Sequence, residues 1–273
     1  MLGAIIGDIV GSRFEFDPTN DYHFQLFSTD CSFTDDSICT IAVAEALLKN
    51  TDFGASLHQW CRRYPHPMGG YGGSFRRWVM SNDPQPYNSF GNGSAMRVSP
   101  TAWWSHNRTE VEILAKQSAE CTHNHPEGIK GAQAVAVAIY DCLFMRLDLL
   151  REGKEPDRQT IIDKGLRRAL ELSGYDILIS YEQVRNRFDE TCQGTVPVAF
   201  RIISESHNFE DAIRKAVALG ADADTLGAIV GSIAEAIWGI PEEIKQQALT
   251  YLTDEMRDIV EHFYKVRTQG QCL

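Results

Sequence analysis

The stretch ALGADADTLGAIVGSIAEAIWG, Ala218–Gly239, sets the fold class of this chain. After Asp224 the apolar residues Leu226, Ile229, Val230, Ile233, Ala234 and Ile237 keep the i, i+3, i+4 rhythm of one helix face. Gly239 and Pro241 stop that helix. Phe209–Leu219, just upstream, reads as another, with Gly220 placed as its C-terminal glycine. Working outward, helices are expected at 38–48, 110–121, 158–172, 196–204, 242–252 and 255–264, and over the Ala-rich GIKGAQAVAVAIYDCLFMRL (128–147). Period-two alternation is scarce, and YDILISYEQV (Tyr175–Val184) is the best strand candidate. No repeat, low-complexity tract or long linker divides the chain. One all-α domain spanning 1–273 is therefore expected.

The segment Tyr64–Ser94 breaks the pattern. PHPMGGYGGSF and NDPQPYNSFGNGS are rich in Gly, Pro, Asn and Ser, with a short helix expected near Phe75–Met80. Long irregular segments inside compact domains are often functional.

The 273 residues include 43% hydrophobic residues, enough for a sizeable core. The formal charge of −11, from 26 Lys+Arg against 37 Asp+Glu, argues against non-specific nucleic-acid binding, which rests on neutralising phosphates. Seven cysteines, from Cys31 to Cys272, form no C-x-x-C pair and read as reduced thiols. MLGAIIGDIVG has no basic n-region and Asp8 interrupts it, so it does not read as a signal peptide. The apolar run 131–145 contains Asp141 and is too short to span a bilayer. A soluble cytoplasmic protein without membrane contact is expected.

The same opening stretch also carries chemistry. Asp222 and Asp224, followed by Thr225, cluster where a helix begins. A second turn, FTDDS, repeats the pattern with Thr34, Asp35 and Asp36. An isolated T-D-D is accounted for by capping, because carboxylates favour a helix N-terminus. Two such turns far apart in sequence change the balance. Brought together, they offer up to four carboxylates and two hydroxyls, the oxygen-only shell that a hard cation such as Mg²⁺ prefers. Without cations the four acids would repel.

GAIIGDIVGSRFEFD places Gly3, Gly7 and Gly11 on one close-packing helix face. Asp8 lies inside that apolar helix, and a buried acid needs a partner. Glu15 follows just beyond it, where a lone acid is usually solvated. NSFGNGSAMRVSP exposes successive backbone N–H groups suited to an anion, with Arg97 as a charge partner or a buried structural arginine. In CTHNHPEG, His123 suits a phosphate contact and His125 a turn before Pro126. The H-x-H spacing lacks a third soft ligand for zinc. Trp103, Trp104 and Trp238 read as packing residues. There is neither a G-x-S-x-G elbow nor a Walker loop.

Taken together, GAIIGDIVGSRFEF, FTDDS, SFGNGSAMRVSP, THNHPEGIKGAQAVAVAI, GTVPVAF and ALGADADTLGAIVGSIAEAIWG resemble the ADP-ribosylglycohydrolases in order and over nearly the whole chain. The resemblance implies a compact orthogonal helical bundle with two divalent cations, Mg²⁺ or Mn²⁺, at the bottom of a cleft. It implies metal ligands at Thr34, Asp35, Asp36, Asp222, Asp224 and Thr225. Glu15 falls on the acidic position of a loop near the metals. Ser89, Phe90, Gly91, Asn92 and Gly93 fall where the family contacts ribose and diphosphate, and His123 on a histidine associated with the diphosphate. Two departures stand out: Ala221 where glycine is usual, and Phe90 where tyrosine is common.

The function so implied is hydrolysis of the C1″ bond between ADP-ribose and an acceptor, a modified protein side chain such as Arg or Ser or another molecule. ADP-ribose would be the product. Cleavage develops oxocarbenium character at C1″. The metals would grip ribose hydroxyls and activate water. Asp36 and Glu15 lead as proton acceptors, with Asp224 among the catalytic acids. The rival reading is a catalytically weak ADP-ribose-binding or toxin-neutralising protein on the same fold, which would not need the full ligand set.

Overall fold

The computed structural model describes residues 1–155 and 157–270; Cys272 lies outside the described residues. Among the described residues fifteen α-helices follow one another: α1 (Leu2–Gly11), α2 (Asp35–Lys49), α3 (Phe53–Arg63), α4 (Gly73–Met80), α5 (Gly93–Met96), α6 (Ser99–Trp104), α7 (Arg108–Glu120), α8 (Pro126–Arg151), α9 (Arg158–Ser173), α10 (Tyr181–Val184), α11 (Cys192–Ser204), α12 (Phe209–Ala218), α13 (Ala223–Trp238), α14 (Glu242–Leu249) and α15 (Asp254–Gly270). Among the described residues there is no sheet, only isolated bridges at Thr34–Met68 and Gly91–Thr191. The all-α expectation holds. No described helix is long and apolar enough to cross a membrane.

The frame is the pairing of α1 with α13. A Cβ added at Gly3, Gly7 or Gly11 would overlap the backbone carbonyl of Gly231, Gly227 or Ala223 respectively. Missing side chains let the two backbones touch, so each residue step along α1 is locked against α13. Ile5, Ile6 and Ile9 flank the seam and are fully buried. Each contributes about 1.5–3 kcal/mol by leaving water. The 26-residue helix α8 packs against α7, α9 and α13, with its Ala-rich segment 132–139 almost wholly buried. Trp103 and Trp104 pack edge-on and tilted against Tyr264 and Phe263 of α15.

Four elements differ from the sequence reading: the segment 175–184, α3, and the short helices α5 and α6, which were not expected. Tyr175–Val184 is not a strand: it is irregular until the single turn α10. Its apolar alternation has no neighbouring strand to bond, and Leu178 remains 83% exposed. Helix α3 was not expected. Its buried face, Phe53, Leu57, Trp60 and Cys61, has helical spacing, and Asp52 caps it by accepting from the Ala55 N–H at 2.8 Å.

The seam gives a direct stability test. Gly7→Ala forces a methyl into the Gly227 carbonyl and should cost about 3 kcal/mol or more. Gly72→Ala, with nothing within 4 Å of the added Cβ, should change stability by less than about 1 kcal/mol. Urea denaturation of both variants checks this; equal stabilities would sink the close-contact account.

Candidate metal centre and cleft

Asp8 is the hinge of the site. It is fully buried on α1 and faces the start of α2. Its Oδ2 accepts from the backbone N–H groups of Thr34 and Ser37, each at 3.0 Å, and from the Ser37 hydroxyl. Its Oδ1 accepts from Thr34 Oγ1 at 2.7 Å. Asp8 thus satisfies orphan donors of the first turn of α2 from another helix. Thr34, having given its proton to Asp8, accepts from the Asp36 N–H at 3.2 Å as the N-cap of α2. One lone pair of its hydroxyl remains unused.

The second acidic turn meets the first. Gly220 takes φ +70°, and the chain turns there into α13. Thr225 Oγ1 donates to Asp36 Oδ2 at 3.0 Å, joining residues 189 apart in sequence. Asp224 Oδ1 accepts from the Thr225 N–H at 2.9 Å. Asp222 Oδ2 accepts from Asn92 Nδ2 at 2.7 Å, which ties this turn to the Ser89–Gly93 loop. Carboxylate oxygens of Asp8, Asp36 and Asp224 lie within 4.8 Å of one another. Asp35 and Asp222 stand at the edge of this cluster and line the cleft with Asp224 and Thr225.

The cleft has a volume of about 650 Å³, within the range of roughly 300–1,000 Å³ usual for small-molecule sites. One wall is the Ser89–Gly93 loop. It is pinned by Asn92 N–H to Glu190 O at 2.6 Å and by Cys192 N–H to Phe90 O at 3.0 Å. His123 stands behind Gly91 and Gly93, while the half-exposed Phe90 ring packs edge-on against His125 at 5.3 Å. His125 itself caps α8 through Nδ1, the turn role expected of it. The opposite wall is the glycine-rich segment 69–73. Gly69 takes φ +75°, and a Cβ there would overlap the Glu15 carboxylate. Glu15 is therefore held against this loop, over the cleft.

The electrostatics have one sign. Burial pushes the Asp8 carboxyl up to about 6 and that of Asp222 to about 7. Burial, then the charges of Asp224, Asp8 and Glu190, push Glu15 up to about 8. Asp35, Asp36 and Asp224 are raised well above the ordinary value, first by burial and then by neighbouring aspartates. None of these six carboxylates has an ion-pair partner among the described residues. Asp36 Oδ1 and Glu15 Oε2 are buried without any hydrogen bond. Uncompensated carboxylates, orphaned oxygens and two threonine hydroxyls form a donor set that fits hard divalent cations.

Every residue expected at the site lies in or beside this cleft. Sequence reasoning flagged Asp8 only as an acid in need of a partner, and its partner proves to be the start of α2. It did not find Phe16, Phe188, Glu190 or the role of 69–73. The glycines of 69–73 were a visible signal, whereas nothing marked Phe188 or Glu190.

The class that fold and site define is an all-helical bundle with a cluster of buried carboxylates at the floor of a small-molecule-sized cleft. The chain belongs to the ADP-ribosylglycohydrolase family, whose profile matches residues 1–272. It is 24% identical to the zebrafish (Danio rerio) ADP-ribosylhydrolase ARH3, over 97% of this chain and 88% of that one. It is 25% identical to the ADP-ribosylarginine hydrolase Tri1 of Pseudomonas putida, over 91% of this chain and 73% of that one. An Archaeoglobus fulgidus protein without an assigned role is 35% identical over 55% of this chain, a match spanning half of that protein's length. A solved ADP-ribosylglycohydrolase-related protein complex shares the fold, with a TM-score of 0.68 at 22% identity, over 97% of this chain and 95% of that one.

The raised carboxyls set a pH dependence. In the unfolded chain they ionise near pH 4, in the cation-free fold at about 6 to 8 for Asp8, Asp222 and Glu15. Their contribution to stability is fully present below about pH 4 and is lost as pH rises through 6 to 8. With EDTA, Tm should fall over this window; with Mg²⁺ or Mn²⁺ the fall should shrink, so the cation-induced shift grows with pH. Thermal scans from pH 5 to 8.5 check this, and a cation shift that is flat in pH would contradict it.

Proposed function

We propose that this cleft hydrolyses the C1″ bond of an ADP-ribosylated acceptor with the help of two divalent cations, Mg²⁺ or Mn²⁺. Thr34, Asp35, Asp36, Asp222, Asp224 and Thr225 would hold them. The observation that carries the reading is the junction of the two acidic turns: Thr225 is bonded to Asp36, whose Oδ1 has no partner, at the floor of a cleft overhung by Glu15. Family membership and relatives named as ADP-ribosyl hydrolases support the reaction class.

When bound, the cations supply Lewis acidity at the ribose hydroxyls and lower the pKa of the attacking water. The chain's own groups do the rest. The backbone N–H groups of Ser89, Phe90 and Gly93 and the His123 ring hold the diphosphate, while those of Gly91 and Asn92 brace the loop, and Phe90 offers a half-exposed face beside them. Glu15 takes the proton of the water that adds to C1″ and passes it to the acceptor as the bond from C1″ to the acceptor breaks, so the acceptor leaves protonated. Glu15 suits this better than Asp36. It lines the cleft, whereas Asp36 is buried below and is bonded to Thr225. Asp8 touches no substrate; it aims Thr34 and Asp36.

The test is ADP-ribose release from ADP-ribosyl-arginine, ADP-ribosyl-serine and ADP-ribosylated nucleic acid, with Mg²⁺, Mn²⁺ or EDTA. Release from at least one is expected, lost in EDTA. Glu15→Gln and Asp224→Asn should each lower kcat by about 10² or more. Full activity of Asp224→Asn would refute the cation assignment. ADP-ribose binding without release from any substrate would favour a binding protein.

A further inference from the structure

We propose that Arg97 and Thr122 act as positioning residues that hold His123 as the neutral tautomer with its proton on Nε2, so that a fixed donor faces the cleft. The inference rests on the reading of that cleft as an ADP-ribose site for its consequence, though not for its geometry.

The argument starts from proton counting. Arg97 is 1% exposed, and its guanidinium has donors only. Its Nη2 donates to Thr122 Oγ1 at 2.7 Å and to Ser118 O at 2.9 Å. The Thr122 hydroxyl therefore accepts from Arg97, and its own proton must go elsewhere. His123 Nδ1 lies 2.7 Å away. Among the described residues the hydroxyl makes these two bonds and otherwise meets the Cys121 sulfur, which accepts only weakly. The proton goes to Nδ1, which is then an acceptor, and a neutral ring must carry its hydrogen on Nε2.

The doubly protonated ring is disfavoured as well. Burial, and then the Arg97 charge, pull the imidazole well below its ordinary value. The ring is held from its other sides by the chain fold: Tyr87 packs on it at 6.0 Å, and its backbone N–H bonds Ala119 O at 2.7 Å. Only the Nε2 edge is left to the cleft. It sits behind Gly91 and Gly93, and a Cβ at Gly93 would come within 3.2 Å of it. Among the described residues no protein group bonds Nε2.

Arg97 has a second property that points to an anion. It has no carboxylate partner among the described residues, and its Nε is buried with no hydrogen bond. A buried guanidinium held only by neutral groups keeps its full field. Arg97 borders the cleft wall, and its field acts there and along the hydroxyl and imidazole that carry the hydrogen-bond chain. The relay Arg97–Thr122–His123 ends in a donor whose outward dipole is strengthened by a fixed positive charge behind it.

Two measurements on the Mg²⁺-loaded protein test this. Long-range ¹⁵N–¹H correlation spectra read the tautomer of each histidine, with His123 identified by the signal lost in His123→Gln. Calorimetry reads the affinity for ADP-ribose. The wild-type ring is expected with a pyrrole-type Nε2 and a pyridine-type Nδ1. Thr122→Val should mix the tautomers and weaken ADP-ribose binding about tenfold, the loss of one hydrogen bond to an anion. Thr122→Ser should restore both. A wild-type ring protonated on Nδ1, or on both nitrogens, overturns the proposal. So does a Thr122→Val variant that loses affinity with its tautomer unchanged, since that is a packing effect. Arg97→Lys adds an arm: with three donors in place of five and no fixed plane, it should weaken binding and admit the second tautomer; a ring left wholly Nε2-protonated with its affinity unchanged would contradict the part given to Arg97. An Nε2-protonated ring that responds to Thr122→Val in a protein that does not bind ADP-ribose would sustain the relay and refute the proposed function.

Discussion

The contact of two bare helix backbones, α1 against α13, is the constraint on which the rest of this structure depends. Gly7 meets Gly227 and Gly11 meets Ala223, so no side chain separates the helices at the end where the acids lie. That proximity decides where Asp8 can be. One residue beyond Gly7, it is carried to the first turn of α2, while the N-terminus of α13 is held alongside with Asp222, Asp224 and Thr225. A bulkier seam would move the two acidic turns apart by the width of a side chain. The Thr225–Asp36 bond, at 3.0 Å, would not survive that displacement.

The arrangement gathers like charges in a poorly hydrated place, which by itself opposes folding. Asp8 is the exception that makes the rest tolerable. Its oxygens accept from two backbone N–H groups and two hydroxyls, so its charge is spread over the N-terminal end of α2. The remaining acids have few such donors, and Asp36 Oδ1 has none. The fold therefore spends its hydrogen bonds on positioning and leaves the cleft-facing oxygens unsatisfied. Strain of this kind is held in place by the surrounding core, here the buried segment 132–139 of α8 and the almost wholly buried α13.

Much of this was legible in the sequence because the signals were local. A helix start with two acids and a threonine can be read from a few letters, as can a glycine every fourth residue. The meeting of Asp36 with Thr225 was an inference from the pairing of two similar turns. Asp8 was harder: the sequence shows that it needs a partner but not which one, because the partner is another helix's backbone. The failed strand at Tyr175–Val184 shows the converse limit. Ile177 and Ile179 alternate as a strand would, yet a strand exists only where a neighbour offers a ladder, and none lies there. Helix α3 was missed although Asp52, Phe53, Leu57, Trp60 and Cys61 spell a cap and a face. Phe188 and Glu190 reach the cleft through a loop pinned to Phe90 and Asn92, a long-range bond that no local pattern announces.

A last problem is one of sign. The chain carries a net charge of −11, its cleft is lined with carboxylates, and the proposed ligand carries a diphosphate. An exposed lysine or arginine beside the phosphates would also pair with Glu15 or Asp35 and close the cleft on itself. The cleft instead presents neutral donors, the N–H groups of a glycine-rich loop and one imidazole. Arg97, the one cation among the described residues that line it, is almost wholly buried and tied by Thr122 to that imidazole, so that it cannot swing out to the acids. Holding that positive charge still and away from the carboxylates would let one small cavity serve the proposed metal centre at one end and the proposed anionic ligand at the other.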